Sequence, residues 1–162
     1  HAPDGHWYYQ QIELGFNYRM TDMQAALGLG QMQRLDEFVA KRHAIARRYE
    51  KLLVDLPVIT PWQHADSYSG LHLYVIRLKL AEIRKTHREA FEALRVAGIG
   101  VNLHYIPVYR QPYYYKGLGF KAEYCPEAER YYAEAISVPM YAALTEAQQD
   151  QVVSALNEVI RT

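Results

Sequence analysis

At 162 residues the chain can form one domain burying roughly 70% of the surface its unfolded form exposes. Half of its residues are apolar and 22% charged, with 18 Lys plus Arg against 18 Asp plus Glu, so no net field draws it to nucleic acid or an anionic membrane. The lone Cys125 excludes an internal disulfide, and no apolar stretch approaches the ~20 residues of a membrane span, which points to a soluble, cytoplasmic protein.

The chain opens HAPDGHWYYQ, without an initiator methionine, a basic leader or an apolar signal core, so it is expected to be a piece of a longer protein rather than a processed secreted one. Residues 1–20 hold His, Trp and Tyr around Gly5 and Gly15 with no sustained helical or strand period, an irregular lead-in. Thr21 precedes Gln24 by three positions, a capping-box spacing, and Met23, Leu27, Met32, Leu35, Phe38, Ile45, Tyr49 and Leu52 follow at helical intervals. The spacing predicts one helix over 21–56, roughly 50 Å long at about 1.5 Å per residue, which either bends near Leu35 or spans two domains.

Pro57 and Pro61 end that helix, and residues 71–80, apolar on both faces, read as a central strand. Thr86 with Glu89 opens a helix that Gly98 closes, and residues 99–106 read as the next strand. PVYRQPYYYKGLGF is a long aromatic loop. Pro126 starts another helix, ISVPMY forms a short strand, and Thr145 with Gln148 caps a last helix carrying Val152, Leu156 and Val159. The order predicts an α/β (α+β) class, a small open sheet packed with helices, over 57–162.

Two clusters invite chemistry. Asn17, Tyr18 and Arg19 lie just ahead of a helix cap. They read either as a turn residue, a packed ring and a solvated cation, or as an anion site where an amide, a guanidinium fork and the free N–H groups of a helix start meet a phosphate. His104 and Tyr105 end a predicted strand and lead into a loop holding Tyr109, Arg110, Tyr113, Tyr114 and Tyr115. These rings either cover the edge of the core or stack on a base or sugar. A single-stranded nucleic acid platform would use similar rings but needs positive charge that the chain lacks. His72, inside the predicted strand, is a packed histidine or a ligand contact. No histidine pairs with Cys125 or a carboxylate at metal-ligand spacing, and neither a G-x-S-x-G nor a glycine-rich phosphate loop occurs.

The stretches GFNYRMTDMQAALGLGQMQRLDEFVAKR, HLYVIRL, GIGVNLHYIPVYRQPYY and ISVPMYAALTEAQQDQVV, in that order, resemble the C-terminal part of the DegT/DnrJ/EryC1/StrS aminotransferases, fold type I enzymes that use pyridoxal 5′-phosphate on nucleotide-linked keto sugars. HYIPVYRQPYY is similar to the branch that makes UDP-4-amino-4,6-dideoxy-N-acetyl-β-L-altrosamine, toward pseudaminic acid. The resemblance implies a homodimer in which the segment over Asn17–Arg19 reaches into the partner's active site, with Asn17 on the cofactor phosphate and Tyr18 and Arg19 facing the substrate. It further implies that 21–56 connects a large cofactor domain to this small one, that His104 and Tyr105 lie at the sugar nucleotide, with His72 a further candidate there, and that glutamate supplies the amino group. Such chemistry needs a lysine that attaches the cofactor and a carboxylate on its pyridine nitrogen. In the family both precede this segment, and Lys41, Lys51, Lys79, Lys85, Lys116 and Lys121 match no catalytic motif, so the chain alone is expected to be inactive. The other reading is a non-catalytic module that binds a nucleotide sugar or drives oligomerisation.

Overall fold

The computed structural model describes residues 15, 16, 18–121 and 124–161. Asn17 and most of the expected lead-in lie outside the described residues. The chain divides after Leu35 into two compact units.

In the first unit, α1 spans Asp22–Met32. Its start is built as the spacing predicts: the Gln24 N–H donates to Thr21 Oγ1 at 3.3 Å, and the Thr21 N–H donates to Gln24 Oε1 at 2.9 Å. None of its side chains is buried. The bend expected near Leu35 is an interruption at Gln33 and Arg34, which divides the helix expected over 21–56 into α1 and α2 (Leu35–Leu52). Locally, the Arg34 N–H closes a tight turn on the Gln31 carbonyl at 3.0 Å, and Gly28 and Gly30 weaken α1 by about 1 kcal/mol each relative to alanine. A Cβ at either glycine would meet nothing within 4 Å, so neither serves close helix packing among the described residues.

The second unit holds a three-stranded antiparallel sheet in the order β1 (Val58–Ile59), β2 (Tyr74–Leu78), β3 (Ala135–Val138). Tyr74, Ile76 and Leu78 alternate with Val75 and Arg77 along β2, and the register pairs Tyr74 with Val138, Val75 with Ser137, Ile76 with Ile136 and Arg77 with Ala135. One face is therefore Tyr74, Ile76, Leu78, Ile136 and Val138, all buried. It meets α2, where Tyr49 tilts against Tyr74 at 5.1 Å and donates its O–H to the Pro139 carbonyl at 3.1 Å. The opposite face carries Arg77 and Ser137 and is where polar side chains gather.

Three helices complete this unit: α3 (His87–Val96), α4 (Pro126–Glu134) and α5 (Glu146–Arg161). The capping boxes at Thr86 and Thr145 and the proline at the first turn of α4 are present as predicted. Gly98, at φ 79°, ends α3 in a Schellman arrangement: the Gly98 N–H reaches the Arg95 carbonyl at 3.1 Å and the Ile99 N–H the Leu94 carbonyl at 3.0 Å. α5 packs on α3, and the buried Gln149 donates from Nε2 to the Ile45 carbonyl of α2 at 3.0 Å.

Two strands differ from expectation. The strand over 71–80 shrinks to Tyr74–Leu78, because Leu71 at φ 45° breaks the extended run ahead of it. The strand over 99–106 reduces to one bridge, Asn102 with Ser137; the Ala135 carbonyl, which would accept the next bond from this segment, accepts from His87 Nε2 at 2.8 Å instead. Among the described residues no helix is long and apolar enough to cross a membrane.

Candidate functional site

The polar face of the sheet leads directly to one predicted pair. Asn102 and Ser137 exchange both backbone hydrogen bonds, at 3.1 and 2.8 Å, which fixes residue 102 beside β3. Two residues on, His104 Nδ1 lies 2.7 Å from Ser137 Oγ, and the Tyr105 ring stands edge-on to the imidazole at 4.6 Å and 89°. The His104–Tyr105 peptide bond is cis. His104 is half-buried while Tyr105 is 70% exposed, so the pair offers a braced polar ring beside an open phenol.

Beyond this pair the aromatic loop is tied to α4. Arg110 donates from Nε to Glu129 Oε1 at 2.9 Å and from Nη2 to Oε2, while its guanidinium lies 5.2 Å from the Tyr132 ring centre. The Tyr109 O–H donates to the same Glu129 at 2.7 Å. The Arg110 hydrogen bonds hold the Glu129 carboxyl below the usual carboxylate range; burial, aided by the bond to Glu129, pushes the Tyr109 phenol up to about 12. Tyr114, Phe120 and Tyr124 pack edge-to-face in sequence, at 6.4 and 4.9 Å, whereas Tyr113 and Tyr115 are exposed. Tyr109, Tyr114 and Tyr124 thus build the loop's own packing, while Tyr105, Tyr113 and Tyr115 are exposed. A cleft of about 600 Å³ opens between Thr86, His87, Leu103, Arg110, Glu129 and Tyr132.

His72 is exposed and precedes β2, so of its two readings the packed strand histidine is excluded. His43 and His87 instead take structural roles, donating from Nε2 to the carbonyls of Ser69 and Ala135 at 2.8 Å each.

In the first unit Tyr18 stacks on Phe16 at 5.5 Å and stays 89% exposed, and Arg19 is exposed. The capping box consumes the Gln24 N–H, leaving the Asp22 and Met23 N–H groups of the first turn outside the helix ladder. An exposed guanidinium ahead of those two groups suits the phosphate end of a ligand. Of the lysines, Lys41, Lys51, Lys79, Lys116 and Lys121 are exposed and Lys85 is half-buried. Among the described residues no group of three metal-ligating side chains comes together.

Sequence reasoning missed Ser137 and Glu129. The first had a legible signal, a hydroxyl in the otherwise apolar run AISV; the second, nineteen positions from Arg110, had none.

The profile of the DegT/DnrJ/EryC1/StrS aminotransferase family matches residues 2–157. The chain is 36% identical over 163 residues to the spore coat polysaccharide biosynthesis protein SpsC of Bacillus subtilis, covering 99% of this chain and 42% of SpsC. PseC of Helicobacter pylori, an aminotransferase involved in the biosynthesis of pseudoaminic acid, matches with a TM-score of 0.86 at 24% identity, over 96% of this chain and 42% of PseC, a likeness of fold alone. Spr1654 of Streptococcus pneumoniae in its PLP form matches with a TM-score of 0.84 at 27% identity, over 94% of this chain and 39% of that one. The chain spans 42% of the length of the curated relatives it matches.

Proposed function

The chain belongs to the DegT/DnrJ/EryC1/StrS aminotransferase family, and from that premise we propose that it is the C-terminal portion of a pyridoxal phosphate-dependent enzyme moving an amino group from glutamate to a UDP-linked 4-keto-6-deoxy sugar. One observation carries this division of labour: the family match runs over residues 2–157, yet no lysine among the described residues is buried. The lysine and the carboxylate for the pyridine ring then belong to a preceding cofactor domain.

The residues present fit the phosphate end of the cofactor and not its ring. When bound, pyridoxal phosphate supplies the electron sink for amino transfer. Asn17 and the first-turn N–H groups of α1 hold its phosphate across a homodimer, and Arg19 and Tyr18 face the substrate. His104 and Tyr105 orient the sugar nucleotide, His104 through its ring N–H and Tyr105 through its open phenol, and His72 lies at the margin of that site. The similarity of HYIPVYRQPYY to the pseudaminic acid branch, the pathway in which PseC acts, supports a UDP-linked 4-keto substrate. A free-standing binding or oligomerisation module is not favoured, because such a module leaves a family match over nearly the whole chain without a reason.

An assay with pyridoxal phosphate, glutamate and a UDP-linked 4-keto sugar tests the reading. The 162-residue chain alone is expected to form no amino sugar, and the longer protein that carries it is expected to form it. Turnover by the chain alone, or a lysine adduct trapped on it by borohydride, overturns the proposal.

A further inference from the structure

Ser137 stands out on β3. It is 4% exposed and lies between Ile136 and Val138 in a strand buried at every position. A buried hydroxyl must place both its lone pairs and its one hydrogen, and leaving that hydrogen without an acceptor is costly. The backbone N–H and carbonyl of Ser137 are committed to Asn102. Among the described residues its Oγ makes a single hydrogen bond, to His104 Nδ1 at 2.7 Å. Were Nδ1 to carry the hydrogen, it would donate to Oγ, and the serine hydrogen would have no acceptor. With the hydrogen on Nε2, Nδ1 accepts from the buried serine O–H, and the one donor left over is the Nε2–H on the far side of the half-buried ring. Tyr105, edge-on at 4.6 Å, holds the ring plane in this arrangement.

We propose that Ser137 is a positioning residue that fixes His104 as the neutral tautomer with hydrogen on Nε2. The far side of the ring then presents an N–H donor to an acceptor oxygen, of which a phosphoryl oxygen of a sugar nucleotide is the best match. This inference rests on the reading of His104 as a substrate contact only for the ligand's identity; the tautomer stands on geometry. Ser137 is a device for specificity, since a ring fixed as a donor rejects a donor at the same place.

Long-range proton–nitrogen correlation spectra of the full chain labelled at histidine nitrogen, with His104 assigned by its loss in His104→Asn, read the tautomer directly. The Nε2–H form is expected to dominate. Ser137→Ala is expected to convert it to a mixture of both tautomers, and Ser137→Thr, which keeps the hydroxyl, to retain it. A dominant Nδ1–H form in the unmodified protein overturns the proposal, as does an unchanged Nε2–H form in Ser137→Ala. Should Ser137→Ala fail to fold, the unmodified protein and Ser137→Thr still decide. In the complete aminotransferase, Ser137→Ala is expected to raise KM for the sugar nucleotide roughly 3- to 10-fold, the worth of one hydrogen bond, with little change in kcat. If His104→Ala leaves that KM unchanged while the tautomer result holds, the assigned ligand fails and the positioning role of Ser137 survives.

Discussion

Arg77 and Glu134 join the central strand to the last residue of α4: the guanidinium donates from Nε at 2.9 Å and from Nη2 at 2.6 Å to a single carboxylate oxygen. The pair lies on the sheet face that also carries Ser137, one alternate position along the register. With the side chains 29% and 20% exposed, water still reaches both ends, so truncating one partner costs less than in a sealed core. Arg77→Ala or Glu134→Ala is expected to lower unfolding stability by about 1–3 kcal/mol, and the double variant by less than the sum. Urea denaturation of the four proteins gives the coupling; strict additivity would show that the pair contributes nothing.

Glu129 makes the loop sensitive to acid. Arg110, and after it the Tyr109 hydroxyl, hold its folded-state pKa below the ordinary value, so its stabilising contribution is complete above the unfolded pKa and is lost as pH falls through the lower folded one. The loop is therefore expected to stay docked on α4 at neutral pH and to loosen below about pH 4. Tyrosine fluorescence followed during an acid titration reports the step, and Glu129→Gln is expected to remove it.

Gly98 sits where a side chain is strained. Its φ of 79° is what the Schellman close of α3 requires, although nothing lies within 4 Å of an added Cβ. Gly98→Ala is thus expected to cost about 1 kcal/mol through backbone conformation alone, measurable as a lowered urea midpoint with an unchanged slope.

α1 leaves its apolar side chains in solvent, with Met23 83% and Leu27 68% exposed. Such a face favours association of chains, and the apparent mass in sedimentation is expected to rise with concentration and to fall to that of the monomer in Leu27→Glu. A strict monomer at every concentration contradicts this.

Local chemistry made much of the fold legible. The pairs Thr21 with Gln24, Thr86 with Glu89 and Thr145 with Gln148 mark three true helix starts, and Pro126 a fourth, because a cap is decided within a few residues. What depended on distant partners was not legible. β1 is two residues long and too short to carry a pattern, and residues 99–106 pair at Asn102 alone, beside an Ala135 carbonyl that accepts from the distant His87. In the site, His104 and Tyr105 announce themselves as neighbours in sequence. The group that orients His104 is 33 positions away, and only the pairing of residue 102 with β3 brings it there.

The central claim is that donors ahead of α1 grip the phosphate of the cofactor, and the dissociation constant of pyridoxal phosphate from the complete aminotransferase tests it most directly. Replacing Asn17 by alanine is expected to weaken binding about tenfold, the loss of one hydrogen bond to a charged group. An unchanged dissociation constant in that variant would contradict the account.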